Sequence, residues 1–202
     1  MSIIKKVFRR AKRILSNQEN KREALIKMMP ANSICAEIGV WKGNFSKRIL
    51  SINQPKKLHL IDPYEYQTGF GKRLFGGKVA QSQADMDEIF ESVKEKFKGQ
   101  PVQFHRGYSD DAIKDFEDGY FDWVYVDGNH YYDFVMRDLE NYFPKIKSDG
   151  FLTGDDYKWT SEELNGDFPV ERAVQDFIKK YEAEIEFTKL LGEGQFVIKK
   201  KG

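Results

Sequence analysis

The sequence contains no apolar run approaching the ~18–20 residues that a membrane-spanning helix needs, and its N-terminus lacks the apolar core of a secretion signal. Cysteine occurs once, at Cys35, inside an apolar stretch. A single thiol excludes an internal disulfide, and a buried, inert cysteine is the expectation there. These absences point to a reducing, cytoplasmic setting. Several chemical signatures are missing as well. There is no G-x-G-x-x-G dinucleotide fingerprint, no phosphate loop, no G-x-S-x-G turn and no zinc-ligand pair. Of only three histidines, His59 and His105 fall inside expected strands and read as structural.

What is present suits one sizeable domain with a real core: 202 residues, 40% hydrophobic and 32% charged. The net charge of +1 conceals an asymmetry. Residues 1–29 carry nine Lys or Arg against two Glu, a net +7 that leaves −6 for the remainder. Ile3, Ile4, Val7, Phe8, Ala11, Ile14 and Leu15 recur at helical spacing between basic residues, which predicts a basic amphipathic helix over 3–15. Its apolar face must be covered by the body of the protein, by a second copy in a homodimer, or by an anionic membrane surface at the inner face of the membrane. Nucleic acid is not the expected partner, because no aromatic platform or recognition fold accompanies the charge. A break at 16–20 and a short helix over 21–29, ended by Pro30, complete this segment. The chain thus divides into a basic helical segment, 1–29, and one domain, 30–202, with no internal repeat or linker.

From residue 34 onward, strand and helix patterns alternate. The stretch ICAEIGVWKGNFS reads as a buried strand over 34–38, a glycine-bearing turn over 39–43 and a helix to 52. Glycines in such a turn let the backbone approach a ligand, and the helix that follows aims its N–H groups at it. Strands are predicted at 57–61, 102–105, 121–126 and 151–153. Helices are predicted at 84–97, 110–116, 131–146 and 169–182, and residues 185–190 and 195–199 read as a closing hairpin. Residues 64–80 form an aromatic-rich, glycine-punctuated loop. The fold class that follows is α/β: a mostly parallel sheet with helices on both faces and an antiparallel edge hairpin.

In open α/β sheets, ligands bind at the C-terminal strand ends. Here those ends read Glu37 and Gly39, Asp62, Gly107–Asp110, Asp127, and Asp155 with Asp156. So many converging acids exceed what helix caps and turns require. Asp62, about 20 residues beyond the glycine turn, suits the hydroxyls of a ribose, and the absence of a following basic residue disfavours a 2′-phosphate. Asp127, Asp155 and Asp156 offer hard oxygen ligands to Mg²⁺ or a similar divalent cation, which would relieve their mutual repulsion. His130, three residues after Asp127, is a candidate proton acceptor.

Together these segments resemble the S-adenosylmethionine-dependent methyltransferases of Rossmann-like fold. The closer resemblance, over about residues 30–200, is to the metal-dependent O-methyltransferases of the catechol and macrolide-sugar types, with a seven-stranded sheet. The resemblance of EIGVWKGNFS to the first motif implies Glu37, Gly39, Trp41, Gly43 and Ser46 around the methionine part of S-adenosylmethionine. HLIDPY implies Asp62 on the ribose, and Tyr108, Ser109 and Asp110 beside the adenine. VDGNHYYD and GDDY imply Asp127, Asp155 and Asp156 as metal ligands, with Asp127 also bordering the cofactor. Catechol-type enzymes carry a lysine where this chain has His130, whereas sugar-methylating relatives carry a histidine proposed as the base. The resemblance therefore implies a hydroxyl of a sugar, glycan or small natural product as acceptor, with Tyr64, Tyr66, Phe70, Tyr131, Tyr157 and Trp159 as candidates for a substrate wall. Two other classes stay open: a non-catalytic cofactor-binding protein, and an iron-dependent hydroxylase-like enzyme on the same scaffold.

Overall fold

A computed structural model describes residues 21–67 and 80–202. The expected helix over 3–15, and Phe70 of the aromatic loop, lie outside these residues. Along the strands, side chains alternate between two cores. In β1 (Ile34–Ile38), Ala36 and Ile38 face one side of the sheet and Cys35 the other. In β4 (Phe121–Val126), Val124 and Val126 share the first side, while Trp123 and Tyr125 occupy the second. Strands buried on both faces need a helical layer on each, the condition that selects a parallel sheet.

The seven strands run in the order β3-β2-β1-β4-β5-β7-β6. Strands β2 (Lys57–Asp62), β3 (Val102–Arg106), β1, β4 and β5 (Ile146–Gly154) are parallel neighbours. β7 (Gln195–Lys200) pairs antiparallel with β5, and β6 (Ile185–Leu191) with β7, so the hairpin forms the edge as expected. One face is covered by α1 (21–28), α2 (Asn44–Ile52) and α3 (Gln83–Lys96), the other by α4 (Ser109–Ala112), α5 (Tyr132–Tyr142) and α6 (Pro169–Lys180). Each long helix buries one stripe: Met86, Ile89 and Val93 in α3, and Val170, Ala173, Val174 and Phe177 in α6. Cys35 is fully buried and burial pushes its thiol pKa up, so the inert thiol expected from sequence is what the fold provides.

The helix expected over 110–116 is α-helical only from Ser109 to Ala112 before tightening into a 3-10 turn, and two boundaries differ by more from the sequence reading. The helix expected over 131–146 ends at Tyr142, and the strand expected over 151–153 begins at Ile146. Pro144 explains the first, because it offers no N–H to continue the helical ladder and its ring clashes with the carbonyl one turn earlier. The second follows from it: the freed chain joins the sheet at once, and the polar Lys147, Ser148 and Asp149 hid that strand.

The turn after β1 needs its glycines for packing. Gly39 has φ +86°, and a Cβ there would lie 2.1 Å from the Asp127 carbonyl oxygen. Glycine at 39 is thus needed for the ends of β1 and β4 to pack together, and it also lines a cavity at these strand ends. Gly43, at φ +67°, abuts the Phe97 ring. Gly39→Ala should cost at least about 2 kcal/mol in urea denaturation, from the left-handed backbone and the clash together.

His59 and His105 are structural, as their strand positions predict. The His59 Nδ1 lies 2.9 Å from His105 Nε2, and its Nε2 lies 3.1 Å from the Tyr120 hydroxyl. Burial, with lesser contributions from His105 and Lys57, lowers the His59 pKa from 6.5 to about 3. Folding therefore favours the neutral ring, and its contribution is complete above pH 6.5 and is lost as pH falls from there towards 3. In denaturation curves across that window, His59→Asn should flatten the dependence of stability on pH.

Candidate active site

The C-terminal ends of β1, β2, β4 and β5, with the loop after β3, border a cavity of about 490 Å³. Its first wall is the turn after β1. Glu37 is buried and accepts a 2.5 Å hydrogen bond from the Ser46 hydroxyl. Burial, reinforced by the nearby charges of Asp127 and Asp62, pushes its pKa well above the usual carboxylate value despite Ser46 and Arg22. Asp62 holds the turn in place. Its Oδ2 accepts from the amides of Val40 and Trp41, each at 2.9 Å, and its Oδ1 accepts from the Tyr64 amide at 2.8 Å. The Tyr64 hydroxyl donates to the Trp41 carbonyl at 2.9 Å. Both Trp41 (φ +52°) and Tyr64 (φ +46°) sit in the left-handed region, a strain that these bonds sustain. A carboxylate has about four acceptor positions, so Asp62 retains about one for a ligand.

The second wall follows β3. Tyr108 and Ser109 line the cavity. The Tyr108 hydroxyl donates to Glu65 Oε2 and accepts from Gln67 Nε2, both at 2.6 Å. Ser109 donates to Asp138 Oδ1. Asp110 instead turns to Arg137, 3.0 Å away, and lies outside the lining. Asp138, not singled out from sequence, is a buried acid bordering the cavity, and burial raises its pKa to about 7. It lies on the apolar stripe of α5, with Val135, Leu139 and Tyr142, and a charge at that spacing was the signal that could have found it.

The third wall carries the acidic cluster. His130 Nε2 lies 3.4 Å from Asp127 Oδ1 and 3.2 Å from Asp156 Oδ2. Ligand atoms of Asp127, His130 and Asp156 all lie within 4.8 Å of one another. Burial alone would lower the His130 pKa, but the hydrogen bond and charge of Asp127, with Asp156, raise it overall. Asp155 does not join them. It is 4% exposed, receives hydrogen bonds from Arg22 and from the Gln195 side chain, and caps the Asp156 amide at 2.8 Å. The set expected from sequence was Asp127, Asp155 and Asp156, and the set the structure brings together is Asp127, Asp156 and His130. The physical reason is that Arg22, on α1, already neutralises Asp155. Arg22 shares a helical stripe with Leu25, Ile26 and Met29, the same signal that marks Asp138. Of the aromatic candidates, Tyr131 and Trp159 stand together beside His130, with the Trp159 ring 5.2 Å from the imidazole. Tyr64 and Tyr157 are buried.

A family model described as a methyltransferase domain matches residues 36–157. The chain belongs to that family. Solved structures agree on the fold. A protein from Staphylococcus aureus, provisionally assigned as a caffeoyl-CoA O-methyltransferase, superposes with a TM-score of 0.59 at 14% identity, covering 99% of this chain and 93% of its own. A Clostridium thermocellum protein provisionally assigned as an rRNA methylase gives 0.64 at 12% identity, covering 91% and 95%. An O-methyltransferase family protein from Burkholderia thailandensis gives 0.59 at 11% identity, covering 89% of this chain and 55% of its own. No curated protein matches the sequence. The methyltransferase domain thus accounts for the Rossmann-like sheet and its antiparallel edge, as the sequence motifs implied. Among the described residues, no helix is long and apolar enough to cross a membrane.

Within this methyltransferase site, the hold of Asp62 on the turn is directly testable. Asp62→Asn keeps the shape but replaces one charged acceptor oxygen with a donor. It should cost about 1–3 kcal/mol and speed amide exchange at Val40 and Trp41 in native-state exchange experiments.

Proposed function

We propose that the protein is an S-adenosylmethionine-dependent O-methyltransferase whose acceptor is a hydroxyl of a sugar, a glycan or a small natural product. One observation carries this reading: a single cavity joins the turn after β1 to the Asp127–His130–Asp156 cluster, so a methyl donor and a hydroxyl awaiting deprotonation can meet in it.

The residues present fit the donor. The N-terminus of α2 has no side-chain cap and no acid in its first turn, which leaves its leading N–H groups suited to the donor's amino-acid carboxylate. Glu37 offers a polar group to the methionine part, Asp62 keeps acceptor capacity for the ribose, and Ser109 with Asp138 offers polar contacts at the adenine end. Gly39, Trp41, Gly43 and Ser46 shape the turn, and Tyr108 covers it from the β3 side. Asp110, paired with Arg137, acts on this region only indirectly. When bound, S-adenosylmethionine supplies an electrophilic methyl group.

The Asp127–His130–Asp156 set also fits a divalent cation, since two carboxylates and an imidazole are hard-to-borderline donors in reach of one ion. A cation held there would lower the pKa of an acceptor hydroxyl. The chain's own part is proton transfer and positioning. In the cation-free centre, His130 Nε2, placed between Asp127 and Asp156, takes the hydroxyl proton and the two carboxylates stabilise the imidazolium that results; a cation held by that nitrogen would take over activation of the hydroxyl instead. Tyr131 and Trp159 offer aromatic faces against which a sugar ring can rest. Two of the neighbouring structures carry different provisional acceptor assignments on one fold, so the acceptor proposed here rests on the histidine at position 130 and on these two rings.

Calorimetry with S-adenosylmethionine, followed by label transfer to panels of sugar and phenolic hydroxyls, tests the proposal. Micromolar binding and transfer are expected, and no binding by the wild-type protein would overturn it. His130→Gln should leave donor binding unchanged while lowering turnover by about 10²–10⁴-fold.

A further inference from the structure

Arg22 stands outside the segment matched by the family model, yet its guanidinium borders the same cavity and reaches the edge of the acidic cluster. It donates to Asp155 Oδ2, lies 3.9 Å from Asp127 Oδ2, and rests over the Phe45 ring at 5.9 Å. Asp155 is gripped from the other side as well. The Tyr125 hydroxyl donates to Gln195 Oε1 at 2.9 Å, and Gln195 Nε2 donates to Asp155 Oδ1. The Asp155 carboxylate is therefore enclosed by a buried polar chain ending in a fixed positive charge. A metal ion recruiting Asp155 through Oδ2 would have to compete with the Arg22 guanidinium for that oxygen, and any divalent cation at Asp127, His130 and Asp156 would sit next to that charge.

We propose that Arg22 is the resident counter-cation of this centre, withholding Asp155 from metal coordination and weakening divalent-cation binding at Asp127, His130 and Asp156. Charge repulsion at this range is strong in a partly buried site. Arg22 is only partly exposed; burial works against its charge, but Tyr125 together with the charges of Asp127 and Asp156 outweighs it and raises the Arg22 pKa. The centre consequently carries part of its neutralising charge in α1, and its need for a metal is set by a residue that the rest of the domain does not supply. The inference rests on the cluster being able to hold a cation, and not on the identity of the methyl acceptor.

The test is calorimetric titration of Mn²⁺ into the full chain without S-adenosylmethionine, with the electron paramagnetic resonance of bound Mn²⁺ as a second readout. Arg22→Gln removes the charge and keeps a donor for Asp155, so that the buried carboxylate is not left unpaired. Arg22→Lys keeps the charge. Arg22→Gln is expected to bind Mn²⁺ at least about tenfold more tightly than wild type, with Arg22→Lys close to wild type. A smaller gain in Arg22→Gln, or an equal gain in Arg22→Lys, would overturn the proposal. Because no methyl donor is present, failure here is distinct from failure of the methyltransferase reading, which donor binding decides.

Discussion

Five carboxyl groups converge at one edge of the sheet, and each needs a counterpart to be tolerated there. Carboxylates crowded at partly buried sites repel, and an unpaired one is costly. The structure gives each a different answer. Glu37 is buried with its pKa driven up, so its neutral form is favoured, although the Ser46 hydroxyl, donating to it, works against that shift. Asp62 is surrounded by three backbone amides. Asp155 takes an arginine and a glutamine. Asp127 and Asp156 share one histidine. The elements around the site are arranged to deliver these partners: α1 brings Arg22, β7 brings Gln195, and the turn after β1 brings its amides.

This demand for partners also explains where the backbone is strained. Trp41, Tyr64 and Asp156 all have left-handed φ values although none is glycine. Trp41 and Tyr64 are held there by bonds to Asp62 and to each other, and Asp156 by its amide's bond to Asp155. In each case a carboxylate that must be satisfied fixes a conformation the chain would otherwise avoid. Removing the acid would therefore release the turn as well as the charge, so that electrostatics and shape at this edge are one property.

Much of this was legible from the sequence because it follows from local pattern. The strand-turn-helix at 34–52, the period of the apolar residues in α3 and α6, and the closing hairpin are each dictated by residues near one another in the chain. The acids at strand ends were legible because a parallel sheet puts those ends on one side. The partner of each acid was not. Arg22 meets Asp155 from 133 residues away, and Gln195 from 40. No motif spans such distances, and only the oddity of a charge on an apolar helical stripe hinted at Arg22 and Asp138. Glycines were legible as turn formers, but their purpose at Gly39 depended on β4, which the local sequence does not mention. The strand before Gly150 was hidden for the opposite reason: tertiary pairing draws polar residues into a strand that their local pattern does not favour.

The boundary of the family match sharpens this point. Residues 36–157, the segment that the methyltransferase-domain family covers, contain the turn, Asp62, Asp127, His130, Asp155 and Asp156. Arg22 and Gln195, which decide what Asp155 can do, come from either side of that segment. A carboxylate at a shared position can be a metal ligand in one protein and the anchor of an internal ion pair in another, with no change inside the motif. What sets the chemistry of this edge is therefore the pairing of motif residues with flanking elements, and for this chain the flanking elements supply a positive charge and an amide to Asp155.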